Sequence, residues 1–402
     1  MYPAALDRRK AAATLVAAGL AGHAFFLPIS IAGMQIALAV AAAGLLLWLP
    51  RPLRTPLDWP VLAFVVVAVL SDLFSPYGPP DLAAATLWRA AIGFFVVAHG
   101  LRLLPSDAPR KLLYCAAAGL LLASAVGVLQ YWTGIDVVHW LHLRKEPAFV
   151  VAPGVPGRFG AMGFFTSRLT FGHVATVLLA LIGATLVQGG PLPLAAVGVL
   201  GLAAVALTFD RAAWLGLCAA GMVIALFSGR KARAALALVV FLVVILAALE
   251  PAVRSRFLSS FSEQANADRL FIWARAVEII RDHPLRGIGW ANYGRVLGPY
   301  YDRVDPHFVM RTWGHNLELS TLAETGPLGL LAMLWIWIAA AMALVRRRAL
   351  PGLAALAAWI AIAQVHDVIY DTKVMYALWF ALGLSLSPDA TVLQERPKAT
   401  AG

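Results

Sequence analysis

The sequence predicts an all-α polytopic membrane protein of about twelve transmembrane helices. Hydrophobic residues make up 61% of its 402 residues and charged ones only 13%, against about 25% charged in ordinary soluble proteins. The apolar residues also come in runs of roughly 18–22, enough for a helix to cross a hydrocarbon core about 30 Å thick. Segments of about ten residues with alternating polarity, which would mark a membrane β-barrel, do not occur.

The expected spans are 11–28, 31–49, 59–75, 85–103, 111–131, 169–188, 192–209, 211–228, 232–250, 327–345, 350–366 and 374–387. With twelve spans, the short basic connections fall on one face together with both termini. They are Arg8-Arg9-Lys10, Arg51 with Arg54, Arg102 with Arg110-Lys111, Arg230-Lys231 with Arg233, and Arg346-Arg347-Arg348. Excess Lys and Arg in short loops makes that face cytoplasmic. The first apolar run follows LDRRK without a small-residue cleavage site, so it is expected to stay as a signal-anchor span. The chain therefore reads as one transmembrane domain, 1–402, with a first outer segment at 132–168 and a larger outer region at 251–326. Residues 388–402 read as a disordered cytoplasmic tail.

The net charge of +11 does not point to nucleic acid, because about half of the Lys and Arg residues serve as these orientation signals. Cys115 and Cys218 lie inside apolar runs and read as small core residues. Residues 251–314 hold nine arginines against six acids, which is compatible with a long solvated loop. It is equally compatible with a site for an anionic group, since arginine offers a planar fork suited to phosphate.

Within that region NADRLFIWARAVEIIRDHP has helical periodicity. Leu270, Trp273, Val277 and Ile280 are expected on one face, and Asp268, Arg275, Glu278 and Asp282 on the other. Arg269 falls on the edge of the apolar face, away from most other charges. HPLRGIGWANY follows as a Pro- and Gly-rich turn.

Several polar residues stand where a membrane makes them costly. Arg211, in LTFDRAAWLGL, sits between two apolar runs at the outer face. It is either a snorkelling anchor paired with Asp210 or a functional group at the depth of a lipid-linked diphosphate. Arg168, in GFFTSRLTFGHV, reads first as a snorkelling residue, and Arg158, in APGVPGRFGAMG, as a loop contact. His315 precedes HNLELSTLAETGPLGLL, which parses in two ways. Gly326-Pro327 either ends an interfacial approach helix or kinks one continuous span, Pro327 having no N–H to give. In the second case Glu324 is intramembrane and needs a partner. Asn316 or Glu318 could orient the His315 imidazole. Taken alone, His315 reads as a capping or structural histidine, and His366-Asp367 at the end of the eleventh span stays unassigned.

There is no HExxH, Cys/His cluster or Walker-type glycine loop, so neither a metal nor a cofactor is expected. An enzyme facing outward has no ATP, so its substrate must arrive already activated.

Four stretches together resemble one family, the O-antigen ligase/polymerase superfamily. TFDRAAWLGL resembles its arginine motif at a span boundary, with Phe209-Asp210 where a serine commonly precedes the arginine. DRLFIWARAVEIIRDHPLRGIGWANY resembles its arginine-plus-"hPlxGxGxxxF" stretch, with Tyr293 at the aromatic position. GHNLELSTLAETGPLGLL resembles its "HNxxLxxxxExGxxGL" motif, and GFFTSRLTFGHVATVLL the start of its middle spans. The similarity covers about residues 155–345. It implies a glycosyltransferase of the GT-C type in the bacterial inner membrane, with its active site facing the periplasm. It further implies transfer of a glycan from undecaprenyl diphosphate to lipid A–core, inverting and without metal.

Under that resemblance Arg211 and Arg269 would stabilise the diphosphate leaving group. His315 would be the general base for an acceptor sugar hydroxyl. Arg168, Arg158, Asn316, Glu318 and Glu324 are further candidate contacts. The nearest alternative is an O-antigen polymerase of the same superfamily. Polymerases tend to carry Arg-x10-Gly spacings in two outer loops, whereas this chain has one, Arg303 to Gly314, and none in 132–168. A protein O-glycosyltransferase usually has an added C-terminal soluble region. A lipid or ion transporter would place ionisable residues near the midplane and show repeat symmetry. The expected partners are thus the lipid-linked glycan, the lipid A–core acceptor and membrane lipid. The oligomeric state stays open.

Overall fold

The computed structural model describes residues 3–48, 54–80, 86–259, 262–302, 304 and 314–387. Arg51, Arg303, His307 and the tail at 388–402 lie outside these residues. Among the described residues the structure is helical, with one isolated antiparallel bridge, Val151 to Phe159.

A helix lies over each of the twelve expected segments. They are α1 (Pro3–Phe26), α2 (Ile31–Trp48), α3 (Asp58–Leu73), α4 (Ile92–Gly100), α5 (Ala108–Thr133), α6 (Arg168–Val187), α7 (Pro193–Ala206), α8 (Arg211–Phe227) and α9 (Arg230–Leu249), then, after α10 (Glu263–Asp282) of the outer region, α11 (Leu317–Arg346), α12 (Leu350–Ala363) and α13 (Thr372–Leu386). Short 3₁₀ turns flank α4 at Leu87–Ala91 and Leu101–Leu103. By length and composition, α2, α5, α6 and α11 can cross a membrane. The 14 residues of α7 reach only about 21 Å at 1.5 Å per residue.

The helices turn apolar side chains outward. Leu46, Leu226, Leu328 and Ile338 are all exposed, a surface that suits lipid rather than water. Inside, small residues let backbones approach closely. A Cβ on Gly19 of α1 would lie 2.7 Å from the Ala37 carbonyl oxygen of α2, and α1 and α2 pack along each other. Without a hydrophobic drive between helices in lipid, such close contact is what holds them together. The central layer is formed by α6, α8, α12 and α13, with α6 packed against all three of the others.

Among the described residues, α6, α8, α11 and α13 each begin with a side-chain cap on what the threading makes the outer face. Ser167 accepts from Leu169 N–H (3.2 Å) at α6, and Asp210 accepts from Ala212 N–H (3.1 Å) at α8. Asn316 accepts from Leu319 N–H (2.9 Å) at α11, and Asp371 from Lys373 N–H (3.2 Å) at α13. Each cap satisfies one of the N–H groups that a helix start leaves unpaired.

The two parses of α11 resolve at Gly326. Its φ of 66° and ψ of −171° break the helix between Leu317 and Arg346, so a short buried segment precedes the long apolar one. Pro327 cannot donate to the Ala323 carbonyl. Ile288 N–H takes that carbonyl at 2.9 Å, and Gly289 N–H takes the Glu324 carbonyl at 2.9 Å. A Cβ on Gly326 would collide with the Leu285 carbonyl, and one on Gly287 with the Glu324 carbonyl. The glycine-rich turn after α10 is thereby docked onto the break in α11.

The α10 helix is rotated from the expected face. Ile272, Ala276 and Ile279 are buried with Tyr293 and Tyr301, while Leu270 is 62% exposed. Arg275 lies over the Phe271 ring (5.2 Å) and pairs with Glu278 (2.8 Å). The docked turn decides the rotation, because the helix must face the aromatic cluster that this turn brings in.

Candidate functional site

Arg168 and Arg211 are the first residues of α6 and α8. A cation there opposes the helix dipole, so neither position is explained by helix stability. Arg168 donates to the Thr208 carbonyl (2.7 Å), reaching across to the turn before α8. In that turn Phe209 has a φ of 55°, which aims Asp210 inward. Asp210 is 3% exposed and its Oδ2 lies 2.8 Å from His173 Nε2. Burial alone would raise Asp210, but His173 and the Ala212 N–H bond hold it below the usual carboxylate range. Asp210 thus pairs with His173.

Arg269 comes to the same place from α10. It is held below the ordinary guanidinium value, chiefly by burial and further by the charge of Arg211, with Asp210 opposing. Arg256 is a fourth member that the sequence did not single out. It lies in a short helix, Pro251–Leu258, capped by Glu250, and its Nε donates to the Phe209 carbonyl (3.1 Å). Burial pushes it down, as do Arg211, Arg168 and Arg269. No spacing or motif marked it, because its position depends on the turn at Phe209. Four arginines therefore gather around one buried carboxylate. Such an excess of positive charge in a partly buried site favours an anionic ligand.

His315 approaches from the start of α11. Its φ is 49°, a strained region for a non-glycine residue that costs about 1–3 kcal/mol. Its N–H donates to Asp367 Oδ2 (2.8 Å), and Ser320 donates its hydroxyl to Asp367 Oδ1 (2.8 Å). Burial pushes Asp367 up to about 7, against the opposing effect of Ser320 and the backbone N–H groups of His315, Asn316 and Gly314. The imidazole is shifted below its ordinary value, first by burial and then by the charge of Arg269. A neutral imidazole next to a guanidinium can accept a proton near neutral pH.

The remaining candidates lie elsewhere. Asn316 caps α11 and donates to the Gln364 carbonyl (3.1 Å), while Glu318 accepts from Gln364 Nε2 (2.8 Å). Both are bonded to Gln364, and Asp367 holds the His315 backbone. Glu324 is fully buried, accepting from Tyr293 N–H (3.0 Å) and from the Tyr370 hydroxyl. It ties the docked turn to the segment before α13. Arg158 stacks over Trp132 (4.3 Å) beside Tyr131, at the first outer segment. An apolar groove of about 260 Å³ runs between α11 and α12, lined by Leu334, Trp337, Ile338, Trp359 and Ile360, with Glu318 at its end.

Residues 196–334 match the family described as O-antigen ligase. That segment includes Arg211, Arg269 and His315, the groups the fold assembles. The similarity to O-antigen ligases thus falls on the part of the chain that carries these groups. An O-antigen ligase of Pseudomonas aeruginosa is 28% identical over 299 residues, 72% of this chain and 65% of that protein. The match thus spans just under two thirds of the relative's length.

Proposed function

We propose that the protein is an O-antigen ligase that moves a glycan from undecaprenyl diphosphate to a sugar of lipid A–core, without a metal. The observation that carries this is the gathering of Arg168, Arg211, Arg256 and Arg269 around Asp210, with Arg269 also acting on His315. A glycosyl diphosphate is already a competent leaving group. It needs charge stabilisation as the glycosidic bond breaks, which fixed arginines provide in a water-poor site. Arg211 and Arg269 take that role, with Arg168 and Arg256 reinforcing them.

The acceptor hydroxyl is a weak nucleophile. His315 removes its proton as the hydroxyl oxygen bonds to the anomeric carbon from the side opposite the diphosphate, which inverts that centre. The groove between α11 and α12 offers apolar surface beside the site, suited to a lipid chain. We place the reaction on the periplasmic face of a GT-C-type bundle with twelve spans. In the two outer regions the Arg-x10-Gly spacing occurs once, at Arg303–Gly314, which favours ligase over polymerase.

The test is reconstitution of purified protein with lipid-linked glycan and lipid A–core, in the presence of EDTA and without nucleotide. Ligated product is expected from the wild type and none from His315→Ala, which should still insert and bind the donor. Product that appears only with added O-antigen chain as acceptor would identify a polymerase.

A further inference from the structure

Behind His315 stands a row of ionisable groups that the proposed reaction does not use. The His315 and His366 rings are edge-to-face with centroids 5.4 Å apart, and His366 and His173 are edge-to-face at 5.0 Å. His173 then meets Asp210 at 2.8 Å. The row draws on four parts of the chain: the approach to α11, the end of α12, the second turn of α6 and the turn before α8. Histidines that only fill space in this bundle look different. His23, which is fully buried, bonds the Met34 carbonyl through Nδ1 (2.8 Å).

We propose that His366, backed by the His173–Asp210 pair, is a positioning residue for His315 that also carries away the proton His315 accepts. This rests on His315 being the general base. An imidazolium at His315 would stand beside Arg269, and repulsion there disfavours it. Asp367 is engaged by the His315 N–H and the Ser320 hydroxyl, and the carboxylate that ends the row is Asp210. The groups acting on His366 are His173, Asp210, His315 and Arg269, and Asp210 is the carboxylate among them.

The proton balance is simple. The acceptor hydroxyl gives its proton to His315. His315 passes a proton to the unprotonated ring nitrogen of His366, and His366 releases the proton on its other nitrogen to His173. His315 and His366 end neutral, and His173 ends as an imidazolium paired with the Asp210 carboxylate. Water entering as products leave resets the row. Ionisable side chains inside a helical bundle commonly mark such paths.

His173, Asp210 and His366 each offer one atom within 4.8 Å of the others, a spacing compatible with a cation. His173 Nε2 and Asp210 Oδ2 lie 2.8 Å apart, however, closer than two ligands of one tetrahedral ion at about 2.0–2.1 Å each would stand. The row is therefore assigned to protons.

Two measurements test the relay. In wild-type protein in nanodiscs, the ¹⁵N resonances of the His315, His366 and His173 rings should titrate as a coupled set, and His366→Gln should move the titration of His315. This readout does not depend on turnover, so it stands even if no ligated product forms. Independent titration of the three rings, or a His315 titration unchanged in His366→Gln, would overturn the proposal. Coupling that disappears with EDTA would overturn it too, by making the row a metal site. In the ligation assay, His366→Gln and His173→Gln should lower kcat about tenfold or more and shift its pH profile, with KM for the donor little changed. Folded variants with the wild-type profile would reduce the row to packing.

Discussion

The N–H of His315 donates to Asp367 Oδ2 across 2.8 Å, joining two residues 52 positions apart in the chain. This bond holds His315 in its left-handed conformation and couples the start of α11 to the end of α12. Asp367→Ala should therefore remove transfer almost as fully as loss of His315 itself. Asp367→Asn, which keeps an acceptor for one N–H, should retain part of it. Assay of both variants at equal amounts of folded protein checks this, and full activity in Asp367→Ala would refute the anchoring role.

The pH dependence follows from His315. Its pKa lies below the ordinary imidazole value of 6.5, so the neutral base persists to lower pH than a free histidine would. The acid limb of the kcat/KM profile should fall below 6.5. A limb near 7 would assign the titration to Asp367, whose carboxyl is pushed up to about 7. Stability follows the same linkage. Because folding depresses the His315 pKa, the unfolded chain binds the proton first, and this contribution to stability falls as pH drops through 6.5.

Removing the base should lower the rate by about 10²–10⁴-fold, the usual contribution of general base catalysis. Single-turnover kinetics of His315→Ala with bound donor separates this from loss of binding. Weakened donor binding as the whole effect would make His315 a substrate contact.

Arg211→Lys and Arg269→Lys should recover little of the activity lost in the alanine variants. A lysine keeps the charge but not the two-point fork that fits a phosphate. Arg256→Ala should have a smaller effect, because part of its guanidinium is committed to the Phe209 carbonyl. Donor binding by each variant, measured with a labelled polyprenyl diphosphate, gives the comparison. Wild-type activity in Arg211→Lys would return Arg211 to the role of interface anchor.

Gly326→Ala should destabilise the protein strongly. The φ of 66° is unfavourable for alanine, and its Cβ would meet the Leu285 carbonyl. Such a clash at a left-handed position exceeds the roughly 1 kcal/mol of an ordinary glycine replacement. Thermal unfolding in detergent should show a large drop in midpoint. Little change would mean that the docked turn can shift away from α11.

The sequence alone determined the helical character of the chain and where its twelve apolar segments lie, because burial in lipid demands continuous runs that composition cannot hide. It also singled out Arg211 and His315 beside apolar runs, and Arg269 on the edge of an apolar helix face, as candidates. It could not determine the rotation of α10, since several apolar faces were compatible with its periodicity until the docked turn selected one. Nor could it find Arg256, which depends on the Phe209 turn, or Asp367 as the anchor of His315, which sits 52 residues away. The row from His315 to Asp210 has the same origin. His173 lies inside an apolar run and His366 at the end of another, and only the packing of α6, α8 and α12 sets their rings side by side.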